Sequence, residues 1–153
     1  MCVIVDADVA SQVFATPPVE AFRPVERWLF RRNGKLVYGG ENARELLRIG
    51  AVAIAVRQLR LAGRAHHEDD GQVDAETKRL EEQGLCVSDD PHVVALARIS
   101  GARTLCSHDT NLHRDFRNPR LVGHPRGSVY QHAAHAHLLR HTSGCPGRAR
   151  KRR

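Results

Sequence analysis

Residues 88–116 read SDDPHVVALARISGARTLCSHDTNLHRDF. Asp90-Pro91 starts a helix, because an Asp side chain accepts from the unpaired N–H groups of a first turn and proline, which has no N–H, suits the first helical position. Val93, Val94, Ala97 and Ile99 carry the helix to Gly101. Arg103 to Ser107 then reads as a strand through Thr104, Leu105 and Cys106, closing on Ser107-His108-Asp109. The N-terminal stretch VIVDADVASQVF, residues 3–14, has a related form. The β-branched run Val3-Ile4-Val5 reads as a buried strand ending on Asp6, and Asp8 to Phe14 starts a helix with Val9 and Val13 on one face.

Between these ends, Pro17-Pro18 breaks the chain, and Phe22, Val25, Leu29 and Phe30 keep a helical spacing that accommodates Trp28. Asn33-Gly34 is a turn, and Lys35 to Tyr38 reads as a second short strand. Glu41 to Leu61 is helical but interrupted near Gly50, which predicts two helices; Arg64 to His67 reads as a brief strand. Gln72 to Gln83 is a charged helix ended by Gly84. Helices alternating with short, continuous apolar strands predict an α/β fold with a mostly parallel sheet covered on both faces. In such sheets ligands bind beyond the carboxyl ends of the strands, where Asp6 and Asp109 both fall.

Charge divides the chain. The 153 residues carry a net charge of +7, yet no acidic residue follows Asp115, while residues 116–153 hold nine basic ones. Removing those nine from the 24 leaves 15 against 17 acidic residues, so residues 1–115 carry −2. The expected organisation is a body over residues 1–122 and a basic, His-rich, partly disordered tail over 123–153. An acidic body with a cationic arm suits a polyanionic partner, with Arg148, Arg150, Lys151, Arg152 and Arg153 as phosphate-contacting residues. The alternative for the arm is a solubilising tail. Residues 41% hydrophobic suffice for a core, and 5% aromatic leaves aliphatic side chains to fill it. The longest apolar run is far short of a membrane span, MCVIVDADVA lacks a basic leader, and four cysteines without a CxxC pair suit a reducing cytoplasm.

The two quoted stretches together resemble PIN domains. These open on a hydrophobic strand, an Asp and a polar residue two positions on; later an Asp begins a small-residue helix, a Gly-Ala pair ends it, and a strand closes on another Asp. The blocks cover about a quarter of the chain and bracket residues 1–122. What the resemblance implies is an α/β/α three-layer sandwich acting as a Mg²⁺- or Mn²⁺-dependent endoribonuclease. Its first-strand metal ligand matches Asp6, its helix-start acid Asp90, and its acid after the later strand Asp109. The family's middle-helix Glu matches Glu45, with Glu41 one helical turn away as the competitor. Asp8 stands where a supporting group is expected. RNA is the implied substrate, and an antitoxin-like protein or a second copy of the chain the implied protein partner.

Carboxylates converging on one place repel unless a cation neutralises them, and an all-oxygen donor set suits Mg²⁺ or Mn²⁺. Taken alone, Asp90 is more simply a helix cap, and Asp89 its solvated neighbour. Asp6 is harder to explain by packing, since a charge directly after a buried strand gains nothing there. Asp115 reads as a surface residue, and His92 as a packing or capping one. His132, His135, His137, His141 and Cys145 match no standard zinc spacing, although close His and Cys residues can hold Zn²⁺. Two other functions fit parts of the pattern. One is a non-catalytic nucleic-acid-binding module of the same fold. The other is a haloacid dehalogenase-like phosphatase with Asp6 as nucleophile, against which Ala10 and the lack of a suitably placed lysine count.

Overall fold

Strand Cys2–Val5 (β1) is buried along its whole length, and its side chains alternate between two hydrophobic clusters. Val3 and Val5 enter one, Cys2 and Ile4 the other. A strand with apolar residues on both faces requires cover on both faces, and the rest of the chain supplies it. This computed structural model describes residues 2–139. In chain order its further strands are Lys35–Tyr38 (β2), Ala65–His67 (β3), Thr104–Cys106 (β4) and Ser128–Tyr130 (β5). The helices are Ala7–Val13 (α1), Arg23–Arg31 (α2), Gly40–Leu47 (α3), Gly50–Leu61 (α4), Asp70–Gln83 (α5), Pro91–Ser100 (α6), Thr110–Arg117 (α7) and Pro119–Val122 (α8). Short 3-10 turns span Glu20–Phe22 and Ala133–Leu138.

The strands form one five-stranded sheet in the order β3-β2-β1-β4-β5, and every pairing is parallel. The α/β expectation is met. The first cluster joins Val3, Val5, Leu36, Tyr38, Cys106 and Tyr130 to Val9, Phe22, Leu29, Leu46 and Leu59. The second joins Ile4, Val37, Leu105 and Val129 to Leu80, Val93, Leu96, Leu112 and Phe116. Thus α1 to α4 lie over one face, and α5 to α8 over the other. Burying one such leucine or phenylalanine contributes roughly 1.5–3 kcal/mol, so the two clusters and the strand alternation specify the same layering.

Local chemistry sets the helix ends. Asp69 caps α5 by accepting from Gln72 N at 2.9 Å, and Gly84 ends it in the left-handed conformation. Pro91 opens α6, and Gly101, with φ 80°, closes it. The fold continues past residue 122. β5 pairs with β4, and Tyr130 is fully buried, so the first residues of the expected tail belong to the body. No helix among the described residues is long and apolar enough to cross a membrane.

Candidate active site

The sheet turns outward on both sides of β1, with β2 on one side and β4 on the other. That reversal leaves a crevice at the carboxyl ends of β1 and β4. Asp6 is the first residue after β1. Its N–H still donates to Cys106 O at 2.9 Å, extending the ladder by one bond. It also occupies the N-cap position of α1, in extended conformation, but its carboxylate makes no capping hydrogen bond. Instead Oδ2 accepts from Ser107 Oγ at 2.9 Å, and the residue is only 5% exposed. Burial first, then the charge of Asp8 and more weakly that of Asp90, push its pKa up to about 7; the Ser107 hydroxyl opposes them. Among the described residues, no lysine or arginine is among the groups acting on this carboxylate.

Asp8, near the start of α1, accepts from His108 N at 3.1 Å through Oδ2, which fastens the β4 exit loop to the helix. Ser107 joins the two sides. Its Oγ donates to Asp6 and accepts from Asp109 N at 3.0 Å. Asp109 does cap its helix: Oδ1 accepts from Asn111 N at 3.0 Å and Leu112 N at 3.3 Å.

Asp90 stands at the N-cap position of α6 but makes no side-chain cap either. The capping explanation of this residue therefore fails. Burial raises its pKa, His92 opposes, and Asp109, Asp89 and Asp8 raise it further. The loop that presents it is fixed by Asp115, which receives Val87 N on Oδ1 and Ser88 N on Oδ2, both at 2.9 Å. Asp115 is only 2% exposed, so the surface expectation for it is wrong. The main-chain donors of two loop residues hold its carboxylate inside the fold. Ser88 Oγ in turn accepts from Asp90 N at 3.3 Å.

The two middle-helix acids separate. Glu41 makes an exposed ion pair with Arg44 at 2.9 Å, and the hydrogen bond from Arg44 lowers its pKa. Glu45 faces the start of α6: its Oε1 lies 2.7 Å from His92 Nε2. Neither atom completes a hydrogen bond despite the short separation. One turn earlier on α3, Asn42 donates from Nδ2 to Val5 O at 3.0 Å, beside Asp6, and its buried Oδ1 has no partner. His92, expected to pack or cap, is buried, and it packs against an acid.

Behind the crevice, buried His113 bonds Ser107 O through Nε2 at 2.6 Å, and its Nδ1 lies 3.0 Å from Gln131 Nε2. With Nδ1 accepting from the Gln131 amide, Nε2 carries the proton and donates to the carbonyl. Asn42, Ser88, His113 and Gln131 have no motif in the sequence to mark them. Asp115 has a weak one, being an acid in the last turn of a helix, where the helix dipole disfavours it. His132 and His135 stack with ring centroids 4.1 Å apart. His141, Cys145 and the cluster Arg148, Arg150, Lys151, Arg152 and Arg153 lie outside the described residues.

Asp6, Asp8, Asp90 and Asp109 are thus linked by mutual charge, with Glu45 next to His92. Among the described residues, no group of three or more His, Cys, Asp or Glu side chains is arranged to hold a metal ion. The carboxylates stand near one another without converging on a point. In donor chemistry they fit a hard divalent cation: all are oxygens, two are uncapped, and burial and crowding together keep a proton on Asp6 near neutrality. No protein-family model matches the chain, and no curated protein matches it. Among solved structures it is similar to VapBC2 from Rickettsia felis bound to a DNA fragment from their promoter, with 14% identity and a TM-score of 0.47, over 86% of this chain and 99% of that one.

Proposed function

We propose that the chain is a PIN-like, divalent-metal-dependent endoribonuclease whose acidic edge hydrolyses phosphodiester bonds. One observation supports this reading above the rest. Asp6 is a buried, uncapped carboxylate at the switch point of a parallel sheet, destabilised by two further aspartates and relieved by no cation among the described residues. A protein keeps such an arrangement at a cost to stability, which is characteristic of sites of function.

In this reading Asp6, Asp90 and Asp109 hold Mg²⁺ or Mn²⁺, with Glu45 completing the acidic rim. When bound, the ion supplies a water of lowered pKa and stabilises charge on the scissile phosphate. The chain's own residues do the positioning. Ser107 orients Asp6 and the Asp109 main chain together, while Asp8 ties His108 to α1. Asp115 and Ser88 fix the loop that carries Asp90. The basic residues Arg148 to Arg153 raise the local concentration of RNA. A protein partner that covers the acidic edge would silence the enzyme, and a homodimer is compatible with an edge on each copy. A nucleophilic Asp6 of the phosphatase type gains no support, because no lysine among the described residues acts on it.

The test is incubation of labelled single-stranded RNA and DNA with the full chain in Mg²⁺, Mn²⁺ or chelator. The reading expects RNA cleavage that needs the metal and disappears in Asp6→Asn. Metal-dependent cleavage retained by that variant overturns it.

A further inference from the structure

Helix α2 carries a second feature that the acidic edge does not use. Arg23 and Arg27 are one turn apart on the same side of the helix, and Arg32 follows at its end. All three are exposed. None makes an ion pair or hydrogen bond among the described residues. They line a cavity of about 380 Å³, with Ala133 and Ala136 on the opposite wall and Glu20 as its one acid. Trp28, buried, also lines it, and Gly34 packs so closely on the indole that a Cβ there would stand 2.3 Å from the ring. The cleft is therefore a cationic trough with an apolar wall.

Its end lies beside the acidic edge. Phe22, directly before Arg23, packs on His108 with ring centroids 5.5 Å apart, and the His108 main chain is bonded to Asp8. Tyr130 OH donates to Ala21 O at 2.7 Å and holds this junction in place. The chain after Leu139 carries six basic residues and no acid, so it offers no charge complementary to the trough.

We propose that this trough binds the sugar–phosphate backbone of single-stranded RNA and leads the strand to the carboxylates. The proposal rests on the nuclease reading only for where the strand goes. Guanidinium groups spaced by one helical turn, about 6 Å, offer bidentate contacts to successive phosphates, and the alanines offer a surface for ribose. The like-charged rim also explains how a polyanion approaches an edge that is itself negative.

Binding is measured by fluorescence anisotropy of a labelled 12-nucleotide oligouridylate on the full chain in chelator, where no cleavage occurs. The variants are Arg23→Ala/Arg27→Ala/Arg32→Ala, the matching triple Lys variant, and Arg57→Ala/Arg60→Ala on α4 as a charge control. Each phosphate contact on a single strand contributes about 0.7 to the slope of log affinity against log salt, so the triple Ala variant should lose a slope of about 2. Between 50 and 200 mM salt that equals roughly a twentyfold smaller fall in affinity than wild type shows. The Lys triple should retain most of the slope, and the α4 variant nearly all of it. A triple Ala variant that binds like the α4 control overturns the proposal. So does oligoglutamate competing as well as oligouridylate of equal charge, which would mark an acidic protein as the occupant. The anisotropy is read in chelator and needs no cleavage, so a failed cleavage test and a failed trough are told apart.

Discussion

Replacing Asp6 by Asn should make the protein more stable, and increasingly so as pH rises. In the unfolded chain Asp6 loses its proton near the ordinary 3.8, whereas in the fold it keeps it to about 7. Below pH 3.8 both states are protonated, and the group favours neither. Between the two values the unfolded chain releases a proton that the fold retains, so stability falls by about 1.4 kcal/mol per pH unit. Above 7 the deficit is complete, at an upper bound of roughly 4 kcal/mol. The Asn side chain carries no charge and keeps a partner in Ser107, so the variant escapes that deficit. The assay is urea unfolding of wild type and Asp6→Asn in chelator at pH 4, 6 and 8. The gap between them should be near zero at pH 4 and widest at pH 8. Added Mg²⁺ should narrow it by stabilising the wild type, since an ion bound only by the fold shifts the equilibrium toward it. Equal stabilities at pH 8, or a gap that widens as pH falls, would refute the reasoning.

Other perturbations separate positioning from chemistry. Asp115→Ala removes the acceptor of one buried and one part-buried main-chain N–H group and should cost about 2–3 kcal/mol in urea unfolding, with loss of cleavage because Asp90 is no longer held. Glu45→Gln should reduce cleavage at least tenfold, whereas Glu41→Gln, which breaks only an exposed pair with Arg44, should leave activity unchanged and stability within about 0.5 kcal/mol. Gly127→Ala places a Cβ 2.1 Å from Phe116 O, and thermal unfolding should show a loss of about 1–3 kcal/mol from the forced shift of α7 against β5.

The layering of the fold was legible in the sequence where apolar runs were continuous. Val3-Ile4-Val5 and Thr104-Leu105-Cys106 are strands buried on both faces, and Asp90-Pro91 with Gly101 brackets α6 at both ends. The same pattern places Asp6 and Asp109 at one edge of the sheet. The end of the body was not legible. Ser128–Tyr130 is a three-residue strand embedded in a basic, His-rich stretch whose composition resembles a tail, and only its pairing with β4 identifies it. The residues that hold the acids in place were also hidden. Asp115 reaches main-chain donors 27 and 28 residues away, and Glu45 meets His92 across two helices, so neither leaves a local pattern. Asp90 shows the reverse. Its sequence context signals a cap, yet its carboxylate caps nothing, and only the geometry shows this.

In the proposed function the acidic edge takes a divalent cation. Isothermal calorimetry of Mn²⁺ into the full chain at pH 6, where Asp6 still holds its proton, is the test. Wild type should bind with release of protons, because Asp6 must give up the one it holds to about 7, and Asp6→Asn should lose that binding. Wild type that takes up no Mn²⁺, or an Asp6→Asn variant that binds it as tightly, would overturn the metal site.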